Sequence, residues 1–302
     1  MKRSDLAVLL SLGALWGGSF LFMRMGADEF GSLVLAGLRA IGAALCFLPL
    51  LASRRRLQEW REHWKPIAVI GLTNSALPFV LFSFAAKSLP AGLSSIIDAV
   101  TPVFVALIGW LWLGEKVDAT RGTGMLVGFA GVLWLAGNTL RVHIGGAGWA
   151  LAACVGATVL YGYSVNYSRQ RLGGVSPLVV AAGSQIVAAL LLTPTTLWLW
   201  PSHTPHAPAW LAALALAVLC TAVAYVMFFR LIAHIGPART MTVLYLIPAF
   251  GVLWGALFLG EAFTATMAIG CAIILLGTAL TTGLLGRRAV AISVDEPATE
   301  TV

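Results

Sequence analysis

Long apolar stretches separated by short polar connections recur along the whole chain. Ten of them have the roughly 20 mostly apolar residues that an α-helix needs to cross a bilayer. The connections between them are short. The pattern therefore predicts an all-α polytopic membrane protein with ten transmembrane helices. The predicted spans cover residues 5–23, 33–51, 66–85, 92–113, 122–139, 147–165, 177–199, 209–230, 238–259 and 266–285.

A stretch in the fourth predicted span is repeated in the ninth. Residues 102–115 read PVFVALIGWLWLGE, and residues 248–261, 146 positions later, read PAFGVLWGALFLGE. Continued to Gly131 and Gly277, the alignment has 12 identical positions in 30. Shared apolar composition would match leucine with leucine, but it would not align proline, glycine and glutamate at one offset. We infer that the chain is a tandem duplication.

The duplicated unit contains five predicted spans, and five is an odd number. Its two copies are therefore predicted to cross the membrane in opposite directions, as two inverted five-helix repeats. At an offset of 145 the first helices also correspond, because Trp16 aligns with Tyr161 and Arg24 aligns with Arg169. The predicted division is a first repeat over 1–141, a second, inverted repeat over 142–286, and a disordered cytoplasmic tail over 287–302.

Composition supports the membrane assignment and the basic residues predict the orientation. Only 10% of the residues are charged, against about 25% in soluble domains. With the N-terminus in the cytoplasm, 15 Lys and Arg residues fall in inner connections and three in outer ones. This asymmetry predicts cytoplasmic N- and C-termini. The net charge of +7 resides in these short clusters, so no nucleic-acid partner is predicted.

The sequence carries no enzyme or cofactor signature. The four cysteines lie within apolar stretches without a CxxC pair, which favours small core residues over a disulfide framework or a zinc site. There is no nucleotide-binding loop and no zinc-protease motif. We therefore predict a protein that is not an enzyme, that needs no cofactor or metal, and that is driven by a gradient.

Several motifs resemble the EamA-like drug/metabolite transporter superfamily. They are Trp16-Gly17, Leu38-Arg39 and the doubled Pro-x-Phe…Leu-Gly-Glu followed by a glycine-rich helix. The resemblance covers about residues 5–285. It implies a ten-helix, inverted-repeat carrier in a bacterial inner membrane, and many such relatives export amino acids or other small metabolites. Related small multidrug transporters have an embedded glutamate in the first helix, whereas residues 7–23 here contain no acid. A proton/drug antiport built on that residue is not implied.

Two charged residues, Arg39 and Asp98, fall inside predicted spans, where each charge costs roughly 2.5–3.5 kcal/mol. One interpretation is that they face a central cavity and bind the carboxylate and ammonium groups of a zwitterion, or that Asp98 takes up a proton. The alternative is a structural ion pair, or groups exposed to water near the outer surface.

Aromatic and amide side chains at mid-depth are predicted to wall the same cavity, which suits an amphipathic or aromatic metabolite. Ordinary lipid-facing rings are the alternative. Pro102 and Pro248 are predicted to bend their helices. Glu115 and Glu261 are predicted to have an architectural role, bonding backbone amides of a connection. The predicted substrate-binding residues are Trp16, Arg39, Asn74, Phe79, Asp98, Tyr161, Gln185, Tyr225 and Tyr245.

These features favour a secondary transporter that exports a small amphipathic metabolite by alternating access, with neutral or aromatic amino acids as the first candidates. A sugar or nucleotide-sugar uniporter is an alternative, although two phosphate charges call for more embedded cations than Arg39 alone. A non-transporting membrane receptor or scaffold is another. The predicted partners are a small-molecule substrate and the lipid bilayer. Gly-x-x-x-Gly motifs are compatible with packing inside the bundle or with a homodimer.

Overall fold

The computed structural model describes residues 2–142 and 147–284. The predicted tail, 287–302, lies outside these residues. Every regular element in the described part is helical. Two of the elements are π-helical segments, Gly71–Ala76 and Val218–Val223. The α-helices are α1 Arg3–Phe30, α2 Ser32–Leu51, α3 Arg54–Glu62, α4 Trp64–Ile70, α5 Leu77–Ala85, α6 Ala91–Asp98, α7 Thr101–Leu113, α8 Ala119–Val142, α9 Ala147–Arg171, α10 Pro177–Trp198, α11 Ala207–Ala217, α12 Ala224–Ile235, α13 Pro237–Thr240, α14 Val243–Leu259 and α15 Ala265–Thr281.

The bundle has the dimensions and surface of a membrane protein. Within the described residues, seven helical stretches are long and apolar enough to cross a bilayer, and α14 and α15 are shorter apolar helices. Large apolar side chains such as Leu126 and Leu133 are more than 70% exposed on the outside of the bundle, which suits contact with lipid chains. The chain is therefore an all-helical, multi-pass membrane protein.

The fourth predicted span is two helices rather than one. α6 ends at Asp98 and α7 begins at Thr101. Pro102 is the second residue of α7, where its missing N–H group has no helical partner to lose. It therefore begins a helix, where the sequence predicted a bend inside one. Pro248, by contrast, does lie inside α14.

The two π-helical segments occupy corresponding positions in the predicted repeats, 147 residues apart. Gly71–Ala76 joins α4 to α5, and Val218–Val223 joins α11 to α12. A π-turn inserts an extra residue into the helical ladder and turns the side chains that follow, and such turns are frequent at functional sites. Both segments lie at the centre of a long membrane-crossing stretch.

Two glycines allow a pair of corresponding close helix crossings. A Cβ atom on Gly17 of α1 would lie 2.7 Å from Cβ of Phe250 and 2.9 Å from the amide nitrogen of Gly251, both in α14. A Cβ atom on Gly162 of α9 would lie 2.9 Å from the carbonyl carbon of Phe104 in α7. Gly17 and Gly162 are 145 residues apart, so one crossing is made twice. The Gly-x-x-x-Gly motifs at Gly13/Gly17 and Gly251/Gly255 take part in such crossings within the chain.

Contacts between helix ends define two ends of the bundle, which we name the Glu261 face and the Glu115 face. Glu261 bonds to the first turn of α6, whereas Glu115 lies just past the end of α7 and pairs with Arg169 at the end of α9. α9 runs parallel to α7, and α1 runs parallel to α14, which ends at Glu261. α1 and α9 therefore run in opposite directions.

Candidate functional site

Arg39 of α2 lies in the interior of the bundle with 8% of its surface exposed. Its Nε donates a hydrogen bond to Oγ1 of Thr221, 3.0 Å away in the second π-helical segment. Its guanidinium carbon lies 3.8 Å from the centre of the Phe79 ring in α5, a cation–π distance. Nη1 lies 4.0 Å from Sδ of Met23 in α1. Side chains from three other helical stretches thus contact the guanidinium group of Arg39.

Thr221 fixes the direction in which the guanidinium points. Its hydroxyl donates to the carbonyl oxygen of Leu216 at 2.8 Å, and a hydroxyl has only one proton to donate. Its lone pairs are therefore left to accept the proton from Nε of Arg39. Among the described residues, the structure gives Nη2 of Arg39 no hydrogen-bond partner. The outer edge of the guanidinium is thus available for an anionic ligand. Thr221 carries no sequence signal beyond being a small polar residue in an apolar stretch.

Asp98 is the last residue of α6, at the break between α6 and α7. Its one described partner is the hydroxyl of Thr101, at 3.5 Å. Asp98 keeps partial exposure. The carbonyl groups at a helix C-terminus carry partial negative charge, which disfavours a carboxylate and favours a cation there. The position of Asp98 therefore suits the binding of a positively charged group.

Arg39 and Asp98 do not form a salt bridge within 4.0 Å in the part of the chain that the structure describes. The structural ion pair that the sequence left open is therefore not formed here. Arg39 and Asp98 are thus two charged side chains in membrane-crossing stretches that are not bonded to each other.

Two predicted tyrosines pack against other aromatic rings in the interior of the bundle. Tyr161 of α9 stacks on Phe82 with ring centres 6.1 Å apart. Tyr225 of α12 packs edge-on against Phe47 at 6.3 Å and accepts a hydrogen bond from Nδ2 of Asn74 at 3.3 Å. Tyr161 packs against the same core cluster as Met23, which contacts Arg39, and as Ile97 and Ala99, the chain neighbours of Asp98. We name the following six residues the central cluster: Arg39, Asn74, Phe79, Asp98, Tyr161 and Tyr225.

Three predicted site residues make their hydrogen bonds or ring contacts with residues outside the central cluster. Gln185 is fully buried in α10 and donates to Oγ of Ser75 at 2.9 Å. Trp16 of α1 packs against Phe228 with ring centres 5.3 Å apart. The hydroxyl of Tyr245 lies 2.9 Å from Oγ1 of Thr282, at the end of α15 on the Glu115 face. The predicted set thus divides into a central group of six and three others.

An apolar groove of about 250 Å³ lies between α2 and the second π-helical segment with α12. It is lined by Cys46, Phe47, Leu50, Val218, Ala222, Val223, Val226 and Met227. Phe47 separates this groove from Tyr225 of the central cluster. Among the described residues, no group of three or more His, Cys, Asp or Glu side chains is arranged to hold a metal ion.

Comparison with known proteins gives a consistent answer. The model of the EamA-like transporter family matches residues 4–137 and again residues 148–283. The chain is 25% identical to the uncharacterized transporter YvbV of Bacillus subtilis, over 99% of each chain. It is 24% identical to the uncharacterized inner membrane transporter YedA of Escherichia coli K12, over 91% of this chain and 89% of the relative.

One relative's name includes a substrate. The chain is 25% identical to the probable terminal-alkyne amino-acid exporter of Streptantibioticus cattleyicolor, over 90% of this chain and 92% of the relative. A solved crystal structure whose description names no function has a TM-score of 0.65 and 22% identity. It covers 96% of this chain and all of its own chain. That likeness shows a shared fold.

Proposed function

Because this chain belongs to the EamA-like transporter family, we propose that it is a secondary transporter that exports small zwitterionic metabolites, with neutral or aromatic amino acids first. The observation that carries the proposal is the separation of Arg39 from Asp98. Each is a charge inside a membrane-crossing stretch, and neither is paired with the other. An amino acid has two opposite charges a short distance apart, so it can satisfy both groups at once.

The carboxylate of the substrate binds to Arg39. Thr221 and Phe79 hold the guanidinium by one edge and one face, and its other edge keeps two nitrogens in the fork geometry that matches a carboxylate. A buried charge without a partner is costly. Pairing with the substrate therefore removes part of the cost of keeping Arg39 in the membrane.

The ammonium group of the substrate binds to Asp98. The carboxylate and the carbonyl ends of α6 both place negative charge at the break between α6 and α7. Broken helices of this kind form ion and substrate sites in other secondary transporters. Proton uptake by Asp98 when the site is empty would couple transport to a proton gradient, and this coupling is part of the proposal.

The apolar part of the substrate lies among the rings of Phe79, Tyr161 and Tyr225. Rings with a few polar atoms suit amphipathic ligands, and the tyrosine hydroxyls and Asn74 accommodate polar variation. The name of the Streptantibioticus relative, a probable amino-acid exporter, agrees with this substrate class and with this direction of transport.

Alternating access by two inverted five-helix repeats is the proposed mechanism. The family model matches twice, once in each half, the π-helical segments recur 147 residues apart, and α1 and α9 run in opposite directions. These observations support ten spans in two inverted copies that rock around the central cluster. The basic residues support cytoplasmic termini in a bacterial inner membrane, which puts the Glu115 face in the cytoplasm.

Counterflow in proteoliposomes tests the proposal. Vesicles loaded with an unlabelled neutral amino acid should accumulate the same labelled amino acid transiently, and vesicles without the protein should not. A panel of amino acids, sugars and nucleotide sugars compares the proposed class with the alternatives. If none of the zwitterions exchanges, the proposed function is wrong. Exchange of a nucleotide sugar alone would favour the uniporter interpretation.

A further inference from the structure

At one end of the bundle, Glu261 binds the turn between α5 and α6. Its Oε1 accepts a hydrogen bond from the amide of Ala91 at 2.9 Å, and Oε2 accepts one from the amide of Gly92 at 3.3 Å. These amides belong to the first turn of α6, whose positive end favours a carboxylate. Glu261 thus fastens the predicted second repeat to the first.

Arg24 of α1 binds the other side of the same turn. Its Nη1 donates to the carbonyl oxygens of Ala86 at 2.7 Å and of Lys87 at 3.0 Å. The turn over residues 86–92 is therefore held from both sides, with its carbonyls on an arginine and its amides on a glutamate. We name this arrangement the clasp.

The same two residue types occur at the corresponding positions on the Glu115 face, but they are bonded differently. Arg169 corresponds to Arg24 at an offset of 145, and Glu115 corresponds to Glu261 at an offset of 146. Here Nη2 of Arg169 lies 2.8 Å from Oε1 of Glu115. The arginine and the glutamate bind each other, and among the residues whose contacts the structure describes neither has a bond to the corresponding turn between α12 and α13.

The Glu115 side carries residues that correspond to those of the clasp. At an offset of 147, the prolines of the two turns align, and the residues that correspond to Ala91 and Gly92 are Ala238 and Arg239. Both have amide protons and lie in the first turn of α13. The helix ends before the two glutamates also match, since Gly114 and Gly260 have φ angles of 66° and 64°.

A glycine six residues before each glutamate makes room for its carboxylate. A Cβ atom on Gly109 would lie 3.0 Å from Oε2 of Glu115, and one on Gly255 would collide with Oε2 of Glu261. The amides of Glu115 and Glu261 donate to the carbonyls of these same glycines, at 3.2 Å and 3.1 Å. The two carboxylates therefore have the same local support and differ only in their partners.

We propose that the two clasps form in alternation during transport. In the conformation described here the Glu261 clasp is formed and closes that face, while Glu115 and Arg169 neutralise each other at the other face. In the opposite conformation Glu115 binds the amides of Ala238 and Arg239, Arg169 binds the end of α12, and Arg24 pairs with Glu261. This inference rests on the proposed function, because it assumes two alternating states.

Amide hydrogen exchange, read by mass spectrometry on the detergent-solubilised full chain, measures the amides concerned. In Glu261→Gln, exchange at Ala91 and Gly92 should rise roughly tenfold, as for loss of a charge-assisted hydrogen bond. Because that state is weakened, exchange at Ala238 and Arg239 should fall. In Glu115→Gln, exchange at Ala238 and Arg239 should not become slower. Exchange at Ala91 and Gly92 should stay as slow as in the wild type or become slower.

Glu29→Gln is the matched control, because Glu29 lies on the same face and loses the same charge while its carboxylate binds His203 and His206. It should leave both turns unchanged. Arg24→Gln removes the other arm of the clasp and should shift both turns in the same direction as Glu261→Gln, which keeps the test available if that variant folds poorly. Faster exchange at Ala91 and Gly92 without any change at Ala238 and Arg239 would overturn the alternation. Amino-acid counterflow by the wild-type protein tests the proposed function separately.

Discussion

Each π-helical segment accepts a hydrogen bond from a helix in the other half of the chain, but the two donor side chains differ in charge. Thr221 of the second segment accepts from Arg39 of α2, and Ser75 of the first segment accepts from Gln185 of α10. Arg39 and Gln185 are related by the repeat to within one position. The Arg39–Thr221 bond has a charged donor that belongs to the central cluster. The Gln185–Ser75 bond is neutral, and both of its residues are fully buried.

The difference separates structure from binding. Each hydrogen bond joins the second membrane-crossing helix of one half to the π-helical segment of the other half. This connection is their shared structural role. The connection does not require a charged donor, because the neutral amide of Gln185 makes the corresponding bond. Arg39 nevertheless carries a charge. The excess charge at Arg39 is the part that points to a ligand.

Of all the variants considered, Arg39→Gln should have the largest effect on substrate affinity. Gln can keep a bond to Thr221, but it has no charge for a carboxylate. We expect affinity for an amino acid to fall roughly 100-fold, which is about 2.7 kcal/mol, while thermal stability does not fall, because a costly buried charge is gone. Fluorescence or calorimetric binding and a thermal melt give the two numbers.

Gln185→Ala is the matched change, because it removes the neutral hydrogen bond between Gln185 and Ser75. It should lower the melting temperature and leave the affinity within about threefold of wild type, as expected for the loss of one buried hydrogen bond. Equal losses of affinity in the two variants would mean that Arg39 has only the structural role.

Asp98→Asn should weaken binding roughly tenfold to thirtyfold, because it removes the charge for the ammonium group and keeps the shape. The loss should be absent for a carboxylic acid that lacks an ammonium group. If Asp98 also takes up the coupling proton, counterflow by this variant should lose the dependence on external pH that the wild type shows. A pH dependence that survives unchanged would remove the proton role.

Thr221→Val should weaken amino-acid binding by roughly tenfold, because Nε of Arg39 loses its acceptor and the guanidinium loses its orientation. Thr221→Ser keeps the hydroxyl and should restore wild-type affinity. Ser75→Ala at the other crossing should cost about 1 kcal/mol of unfolding free energy and no affinity. An affinity loss for Ser75→Ala as large as for Thr221→Val would contradict the division of roles.

Tyr245→Phe should have the smallest effect, within about twofold in affinity. Its hydroxyl lies against Thr282 and not against the central cluster. A tenfold loss of affinity would show that Tyr245 contributes to substrate binding. The binding site would then extend toward the Glu115 face.

Sequence reasoning captured the periodic features and missed the local ones. Apolar length, basic clusters and the doubled Leu-Gly-Glu stretch identified an all-helical membrane protein of the EamA-like family, because these signals are spread over many residues. Charges in apolar stretches, Arg39 and Asp98, stood out for a physical reason as well, since burying them is costly.

The break after Asp98 and the two π-turns carried no comparable signal. A π-turn depends on one inserted residue whose cost is offset by tertiary contacts, such as those of Thr221 and Ser75, which the sequence does not display. Gln185 and Tyr245 were grouped with Arg39 by residue type and depth, which do not determine the neighbours that a side chain contacts; the structure bonds them to Ser75 and Thr282. The different partners of the two corresponding Arg and Glu pairs, Arg24 with Glu261 and Arg169 with Glu115, became visible only from the distances.

The central claim is that Arg39 and Asp98 are separate charges for the two ends of a zwitterion. Calorimetric titration of three matched ligands tests it: phenylalanine, phenethylamine, which lacks the carboxylate, and phenylpropionate, which lacks the ammonium group. The wild type should prefer phenylalanine to both, Arg39→Gln should no longer distinguish phenylalanine from phenethylamine, and Asp98→Asn should no longer distinguish it from phenylpropionate. If both variants keep the wild-type order of preference, the two charges do not bind the substrate and the claim is wrong.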